Sequence, residues 1–150
     1  MLHNSCGGAL GGLLFYYLYT KQHPMNLREE IVRNYIQAYN NFDVEGMVQH
    51  FSEDVVFENI QNGVTTDSLE GIEAFKEQAE SAKSFFEDRE QVISELHESS
   101  NLIEVRIQYT ASLAMDISDT MKQGDKIELA GKSYFYFNDQ NQVVKLQDLS

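Results

Sequence analysis

Asp148 is the side chain of this sequence with the clearest potential for acid–base chemistry. It follows Val144 and Leu146 at alternate positions near the end of the chain, so a strand there would project its carboxylate from an apolar face. Burial would raise the pKa of that carboxyl group and make Asp148 a candidate general base. The alternative is a frayed strand end that leaves Asp148 in water.

Tyr35 and Asn59 are the two candidate hydrogen-bond donors to a ligand. Tyr35 lies on the apolar stripe of a predicted helix, where its hydroxyl either binds a backbone group or contacts a ligand. Asn59 shares a strand face with Val55 and Phe57 and is predicted to point inward. An inward amide needs partners, which are either other protein groups or a bound molecule.

Histidine and serine catalysis are disfavoured by spacing. Neither His50 nor His97 has a carboxylate at a triad spacing, and both are interpreted as boundary or surface residues. Asp67 near the first hairpin is explained by turn chemistry as well as by a ligand contact. No glycine elbow surrounds the candidate serine nucleophiles, which are Ser112, Ser118 and Ser133.

The sequence also has no motif for metal binding or for phosphate binding. Cys6 is the single cysteine, so no internal disulfide forms, and no Cys/His cluster has metal-binding spacing. Glycines 7, 8, 11 and 12 follow no strand and precede no Lys-Ser/Thr pair, which excludes a phosphate loop. The sequence therefore predicts no cofactor.

These residues depend for their positions on helices in the first half of the chain. Asn26 and Glu29 form a capping-box signature for a helix that runs to about residue 40. Asp43 caps a short second helix whose apolar spacing reaches Phe51. A third amphipathic helix is predicted over 71–86.

The second half of the chain has the period of two that is typical of strands with one buried face. Asn62-Gly63 signals a hairpin between the first two strands. The predicted strands cover residues 55–60, 64–66, 89–97, 103–113, 126–137 and 143–149. Helices first and strands afterwards predict an α+β domain whose helices cover one face of a curved antiparallel sheet.

Composition narrows the class of partner. The 150 residues contain 24 acidic and 11 basic side chains, giving a net charge of −13. Such a negative field repels nucleic acid and anionic membranes, but it does not oppose the binding of a neutral ligand in an apolar pocket. The 42% apolar content is that of a folded soluble domain. A cytoplasmic location is expected because the single cysteine gives no disulfide framework.

Residues 1–24 form an apolar leader in which Lys21 is the only charged side chain. The leader lacks the basic region and cleavage site of a secretory signal and is short for a membrane span. We expect the domain to occupy 25–150, with Met25 as the natural start; the alternative is export or anchoring by the leader. The domain is predicted to fold without it.

Three segments in this order resemble the nuclear transport factor 2-like superfamily, and within it the SnoaL-like and ketosteroid-isomerase-like proteins. They are DVEGMVQHFSEDVVFENI, SLEGIEAFKEQ and SYFYFNDQNQVVKLQDL, and the resemblance covers 27–149. It implies a cone-shaped sheet wrapped around a helix with a pocket at the open end, and a homodimer formed through the outer face. Tyr134 and Tyr136, which alternate with Phe135 and Phe137, are consistent with such a face.

The resemblance to ketosteroid isomerases places their oxyanion-hole tyrosine on Tyr35. Their general-base aspartate falls on Asn59 and their protonated aspartate falls on Ser133. An amide cannot take a proton at neutral pH, so the standard isomerase mechanism is disfavoured. Glu58 is acidic, but strand alternation puts it on the opposite face from Asn59.

Two functions follow from this resemblance. The first is binding of a small apolar molecule, with proton-transfer chemistry of an isomerase or hydrolase type, in a pocket lined by Phe57, Asn59, Tyr109, Ser133 and Phe135. The second is a non-catalytic association module whose cone is filled by side chains. An open pocket that reaches Tyr35, Asn59 and Asp148 would favour the first.

Overall fold

Three helices and six strands follow residue 26 in the computed structural model of the chain, which describes residues 11–14 and 26–150. Residues 11–14 are helical and exposed, and the rest of the predicted leader and Cys6 lie outside the described residues. The helices are α1 (Leu27–Asn40), α2 (Val44–Val48) and α3 (Ile72–Lys83). The element order predicted from the sequence is confirmed.

The two predicted helix caps are formed. The Asn26 side chain accepts a hydrogen bond from the backbone N–H of Glu29 at 2.8 Å, and Asp43 accepts from Gly46 at 2.9 Å. The predicted end of the second helix at Phe51 is wrong. Phe51 begins the first strand, because the backbone of this segment pairs with the last strand through the Val143 N–H and the His50 carbonyl at 2.8 Å.

All six strands belong to one sheet with the order β2-β1-β6-β5-β4-β3. β1 and β6 run parallel, and every other neighbouring pair is antiparallel as predicted. Their bounds are β1 (Phe51–Gln61), β2 (Val64–Glu70), β3 (Phe86–Ser99), β4 (Leu102–Leu113), β5 (Lys126–Phe137) and β6 (Val143–Leu149). β3 thus begins at Phe86, which ends the third helix earlier than the sequence predicts.

Asn62 and Gly63 make the first hairpin turn. Both have positive φ, 51° and 78°, which is the backbone geometry of a type I′ turn. Asn and Gly are the residues that tolerate this region at least cost, so the turn sets the register of β1 against β2. Asp67 lies in β2 opposite Asn59, and not in a turn after the hairpin.

The sheet is curved and unclosed, and its helix-facing side holds the core. Phe135 and Phe137 are buried on this inner face, whereas Tyr134 and Tyr136 lie half-buried on the outer face, as the alternation predicts. The expected alternation of Val144 with Leu146 is wrong. The register of β5 against β6 shifts between Tyr136 and Phe137, which places Val143 in the core with Leu146.

Candidate functional site

Asp148 lies on the inner face of β6, in the middle of the sheet. Its neighbours in register are Asn59 on β1 and Ser133 on β5, so three predicted site residues form one row across three strands. The Ser133 hydroxyl donates a hydrogen bond of 2.6 Å to Asp148 Oδ1. Ser150 binds the backbones of Ile60 and Asn62, so the strand is paired through Asp148 instead of frayed.

Desolvation dominates the electrostatics of Asp148. Although part of the residue reaches the surface, the carboxyl group is surrounded by protein atoms, and this burial raises its pKa to about 6. The Ser133 hydrogen bond acts in the opposite direction by stabilising the carboxylate. A pKa near 6 leaves Asp148 largely ionised at neutral pH and strong enough as a base for proton transfer.

Tyr35 reaches the same region from α1. Its ring stacks on Phe51 with centroids 5.8 Å apart and meets Phe135 edge-on at 5.3 Å. Burial raises the pKa of its hydroxyl well above the ordinary value, and the negative charge of Asp148 raises it further. A tyrosine held in its neutral form is a hydrogen-bond donor, as oxyanion stabilisation requires.

A pair of tyrosine hydroxyls lies beside these groups. The Tyr39 hydroxyl of α1 donates to the Tyr109 hydroxyl of β4 at 3.2 Å. Burial raises the pKa of both hydroxyls, and the contact with Tyr109 raises the pKa of Tyr39 further. The linked hydroxyls therefore face the cone next to Asp148, and within the pair only the Tyr109 O–H is not already donated.

Arg89 on β3 is a functional candidate that the sequence reasoning missed. Only 6% of its surface is exposed, and its guanidinium lies 3.8 Å from the Tyr39 ring centroid and 4.4 Å from that of Phe42. Nε donates to the Tyr39 carbonyl at 3.1 Å. Nη2 is buried without a hydrogen-bond partner, and no ion pair among residues 26–150 includes Arg89.

Two cavities meet at Asp148. The inner cavity, of about 120 Å³, is bordered by Asp148, Tyr35 and Arg89 together with Phe57 and Phe86. The rim cavity, of about 380 Å³, is bordered by Asp148, Asn59, Ser133 and Tyr109, among others. Tyr39 and Phe86 also border both. The cone is therefore open and is not filled by side chains.

The two predicted phenylalanines of the site lie in different places, one at a cavity and one in the core. Phe57 borders the inner cavity, but Phe135 is fully buried in the core and borders neither cavity. Its packing against Tyr35 explains the difference, because the helix covers that position. Asn59 Nδ2 donates to Thr66 Oγ1 at 2.9 Å, so its amide already has a protein partner.

Glu58 and the two weighed histidines lie away from the cavities. Glu58 binds Lys145 Nζ and Gln147 Nε2 on the outer face, each at 3.0 Å. His97 is exposed beside Glu95, and His50 is half-buried just before β1. Asp67 accepts a hydrogen bond from Gln78 of α3 at 2.7 Å.

A metal site and a membrane helix were also sought in the described part of the chain. Residues 11–14 and 26–150 contain no group of three or more His, Cys, Asp or Glu side chains arranged to hold a metal ion. Among the same residues no helix has the length and apolarity needed to cross a membrane.

The fold is similar to that of several solved structures. An NTF2-like protein of unknown function from Burkholderia pseudomallei superposes with a TM-score of 0.69 at 16% identity, covering 83% of this chain and 90% of that one. A predicted SnoaL-like polyketide cyclase from Shewanella denitrificans gives a TM-score of 0.68 at 15% identity, with coverage of 83% and 90%.

A third structure with this fold contains a small molecule. It is a hypothetical protein with a ketosteroid isomerase-like fold from Catenulispora acidiphila, in complex with trimethylamine, with a TM-score of 0.64 at 11% identity and coverage of 79% and 83%. At these identities the likeness concerns the fold alone.

Sequence comparison gives the family. No curated protein matches the chain. The SnoaL-like domain profile matches residues 32–145, which is most of the chain and extends from within α1 to the first residues of β6. This chain therefore belongs to the SnoaL-like domain family.

Proposed function

We propose that this protein binds a small apolar carbonyl compound in its two cavities and moves a proton of that compound with Asp148. The observation that carries the proposal is a carboxyl group with a pKa of about 6 at the junction of two cavities. A base of this strength is matched to neutral pH, and the apolar wall would hold the apolar body of a ligand without a cofactor.

The proposed step is proton abstraction next to a carbonyl group. The Asp148 carboxylate takes a proton from the α-carbon, and the electron pair of the broken C–H bond moves to the carbonyl oxygen to give an enolate. Tyr35, or the Tyr39–Tyr109 pair, donates a hydrogen bond to that oxygen. Returning the proton from the carboxylic acid to carbon completes an isomerisation or exchange and restores Asp148.

This assignment differs from the standard isomerase arrangement in the location of its base. Asn59 stands where the resemblance expects an aspartate, and an amide cannot act as that base. Asp148 is its register neighbour on β6, so the basic group would sit one strand away and face the same cavity. The row of Asn59, Asp148 and Ser133 supports this relocation.

The competing function, a filled association module, is less well supported. The open cavities around Asp148 are what a ligand-binding protein requires. The description of the Shewanella protein as a predicted polyketide cyclase is also consistent with carbonyl compounds as ligands. The homodimer expected through the outer face is compatible with either function.

Deuterium exchange into 2-tetralone, a compact apolar ketone, tests the proposal. The protein should accelerate exchange at the α-carbon in D₂O, followed by proton NMR. Asp148→Asn should reduce that acceleration by about 10²-fold or more, the usual contribution of a general base. Glu58→Gln, which removes a carboxylate from the opposite face of the same strand pair, is the matched control and should leave it unchanged.

Two results would contradict the proposal. One is the absence of any exchange above buffer at saturating ketone. The other is exchange that survives Asp148→Asn, which would assign the base to another group.

A further inference from the structure

Arg89 is a buried cation whose face is covered by aromatic rings and whose Nη2 has no hydrogen-bond partner. The guanidinium lies against the Tyr39 and Phe42 rings, and of its N–H groups only Nε has a protein partner among the described residues. Stacking of rings on a guanidinium leaves its in-plane N–H groups as donors. Paired in-plane donors match the two oxygens of a carboxylate.

A purely structural role explains this arrangement poorly. A buried charge costs several kcal/mol unless it is paired, which is why buried arginines usually contact a carboxylate. The chain has 24 acidic residues, yet none within 26–150 forms an ion pair with Arg89. Arg89 therefore lacks a counter-charge because of where it lies in the fold, and not because the chain is short of acidic residues.

Arg89 and Asp148 border the same inner cavity without pairing. Asp148 is instead hydrogen-bonded to Ser133, and burial and that hydrogen bond are the causes of its pKa shift. The positive charge of Arg89 does act on Tyr35, Tyr39 and Tyr109, where it lowers the hydroxyl pKa against the larger effect of burial. The cavity thus has a cationic end and a separate proton-transfer group.

We infer that the molecule bound in these cavities is an apolar carboxylic acid whose carboxylate is held by the guanidinium edge of Arg89. This inference rests on the proposed function, because it names the substrate class of the same site. The carboxylate would lie at the inner cavity and the apolar body would extend past Asp148 into the rim cavity. An apolar cavity of about 150 Å³ holds benzene, so the two cavities together suit a molecule of one or two rings.

Binding of 2-naphthoate and 2-naphthamide tests the inference, since the two probes share one shape and differ in charge. Isothermal titration calorimetry at pH 7 should give a dissociation constant at least 10-fold lower for 2-naphthoate. Arg89→Met should abolish that preference. Arg106→Met, which removes an exposed arginine from the outer face of β4, should preserve it.

A measurement on the unmodified protein guards against misfolding of the variant. The ¹⁵N resonance of Arg89 Nε should shift on adding 2-naphthoate and should stay in place with 2-naphthamide. Arg89→Lys keeps the charge but loses the paired donors, so it should retain only part of the preference.

Equal affinity of the unmodified protein for the two probes would overturn the inference and leave the proposed proton transfer standing. Absence of binding by both would overturn it as well, and 2-tetralone exchange would then decide the proposed function separately. A preference for 2-naphthoate without any 2-tetralone exchange would support Arg89 as the anchor and refute the proton transfer.

Discussion

Glu58 and Asp148 are carboxylates on the same parallel strand pair, one register step apart, yet they face opposite sides of the sheet. On the outer face, hydrogen bonds from Lys145 and Gln147 lower the pKa of Glu58. On the inner face, burial raises the pKa of Asp148 to about 6. The comparison teaches that the side of the strand determines the acid strength of a group more than its position along the chain does.

The same contrast extends across the sheet. The outer face pairs its charges, with Lys145 on Glu58, Lys132 on Glu104 and Arg106 on Glu95. The inner face is apolar apart from a few polar groups, and one of these, Arg89, has no counter-charge. Exposed pairs contribute little to stability, whereas isolated buried groups are costly and are therefore candidates for function.

The largest expected effect is a loss of stability on removing a core side chain of β5, compared with an outer-face side chain of the same strand. Phe135→Ala removes a fully buried ring and should lower the free energy of unfolding by about 3–5 kcal/mol. Lys132→Ala on the outer face of the same strand breaks one exposed ion pair and should cost less than about 1 kcal/mol. Urea denaturation measures both, and similar losses would contradict the division between faces.

Asp148→Asn should stabilise the protein above pH 6. The pKa of Asp148 is raised from 3.8 to about 6 by folding, so its contribution to stability is full below pH 3.8 and is lost as pH rises through 6. The amide avoids this penalty and should gain up to about 3 kcal/mol at pH 8, shrinking towards zero at pH 4. Denaturation at both pH values checks the sign.

Glu58→Gln is the opposite case for the same measurement. The folded-state pKa of Glu58 is lowered, so its stabilisation is present above its unfolded pKa and is lost as pH falls. The substitution should therefore cost a small amount of stability at pH 8, less than about 1 kcal/mol because the group is near the surface. A gain for Glu58→Gln, or a loss for Asp148→Asn, would break the comparison.

Ser133→Ala should change the pH dependence of 2-tetralone exchange. In the unmodified protein the exchange rate should rise with pH through about 6 as Asp148 ionises. Removing the Ser133 hydrogen bond, worth about 1.5–3 kcal/mol for a charged acceptor, should move that inflection to higher pH. Ser68→Ala, opposite Glu58 on β2, should leave the inflection in place.

Tyr134→Glu tests the association proposed for the outer face. If copies of the chain meet there, an added charge should weaken the dimer by about 10-fold or more, roughly 1.4 kcal/mol. Sedimentation equilibrium at micromolar concentration gives the constant, and Gln123→Glu in the exposed β4–β5 connection is the control. A monomer in the unmodified protein would refute the dimer.

Deletion of residues 1–24 should have the smallest effect. The described core cluster is formed by residues between Ile31 and Leu146, and α1 has its own cap at Asn26. Chain 25–150 should therefore melt cooperatively within a few degrees of the full chain. A large fall in melting temperature would show that the leader contributes to the fold.

Much of the fold could be predicted because its signals are local. The caps at Asn26 and Asp43 and the Asn62-Gly63 turn act through neighbouring backbone groups, and each forms as expected. The exceptions are set by distant partners. Phe51 has helical spacing but pairs with Val143, and Val144 is displaced by a register shift against β5.

The site was predictable only in part for the same reason. Asp148 is identifiable because it follows the apolar Leu146 at the alternate position, which is a pattern within one strand. Arg89 stands among charged residues in EDREQ, a stretch typical of a solvated strand. Its burial depends on the aromatic rings of Tyr39 in α1 and of Phe42, which lies just after that helix. The pairing of the Tyr39 hydroxyl has no local signal either, since its partner Tyr109 lies 70 residues away in the sequence.

The parallel pairing of β1 with β6 also has a kinetic consequence. Glu58 and Gln147 are 89 residues apart in sequence, whereas the β3–β4–β5 meander joins strands through short connections. Closing the longer loop carries the larger entropic cost, so the pairing of β1 with β6 is expected to form late in folding, after β6 has paired with β5 across their short connection. Until it forms, β1 and β6 each present an unpaired edge, which is the surface most prone to aggregation during synthesis.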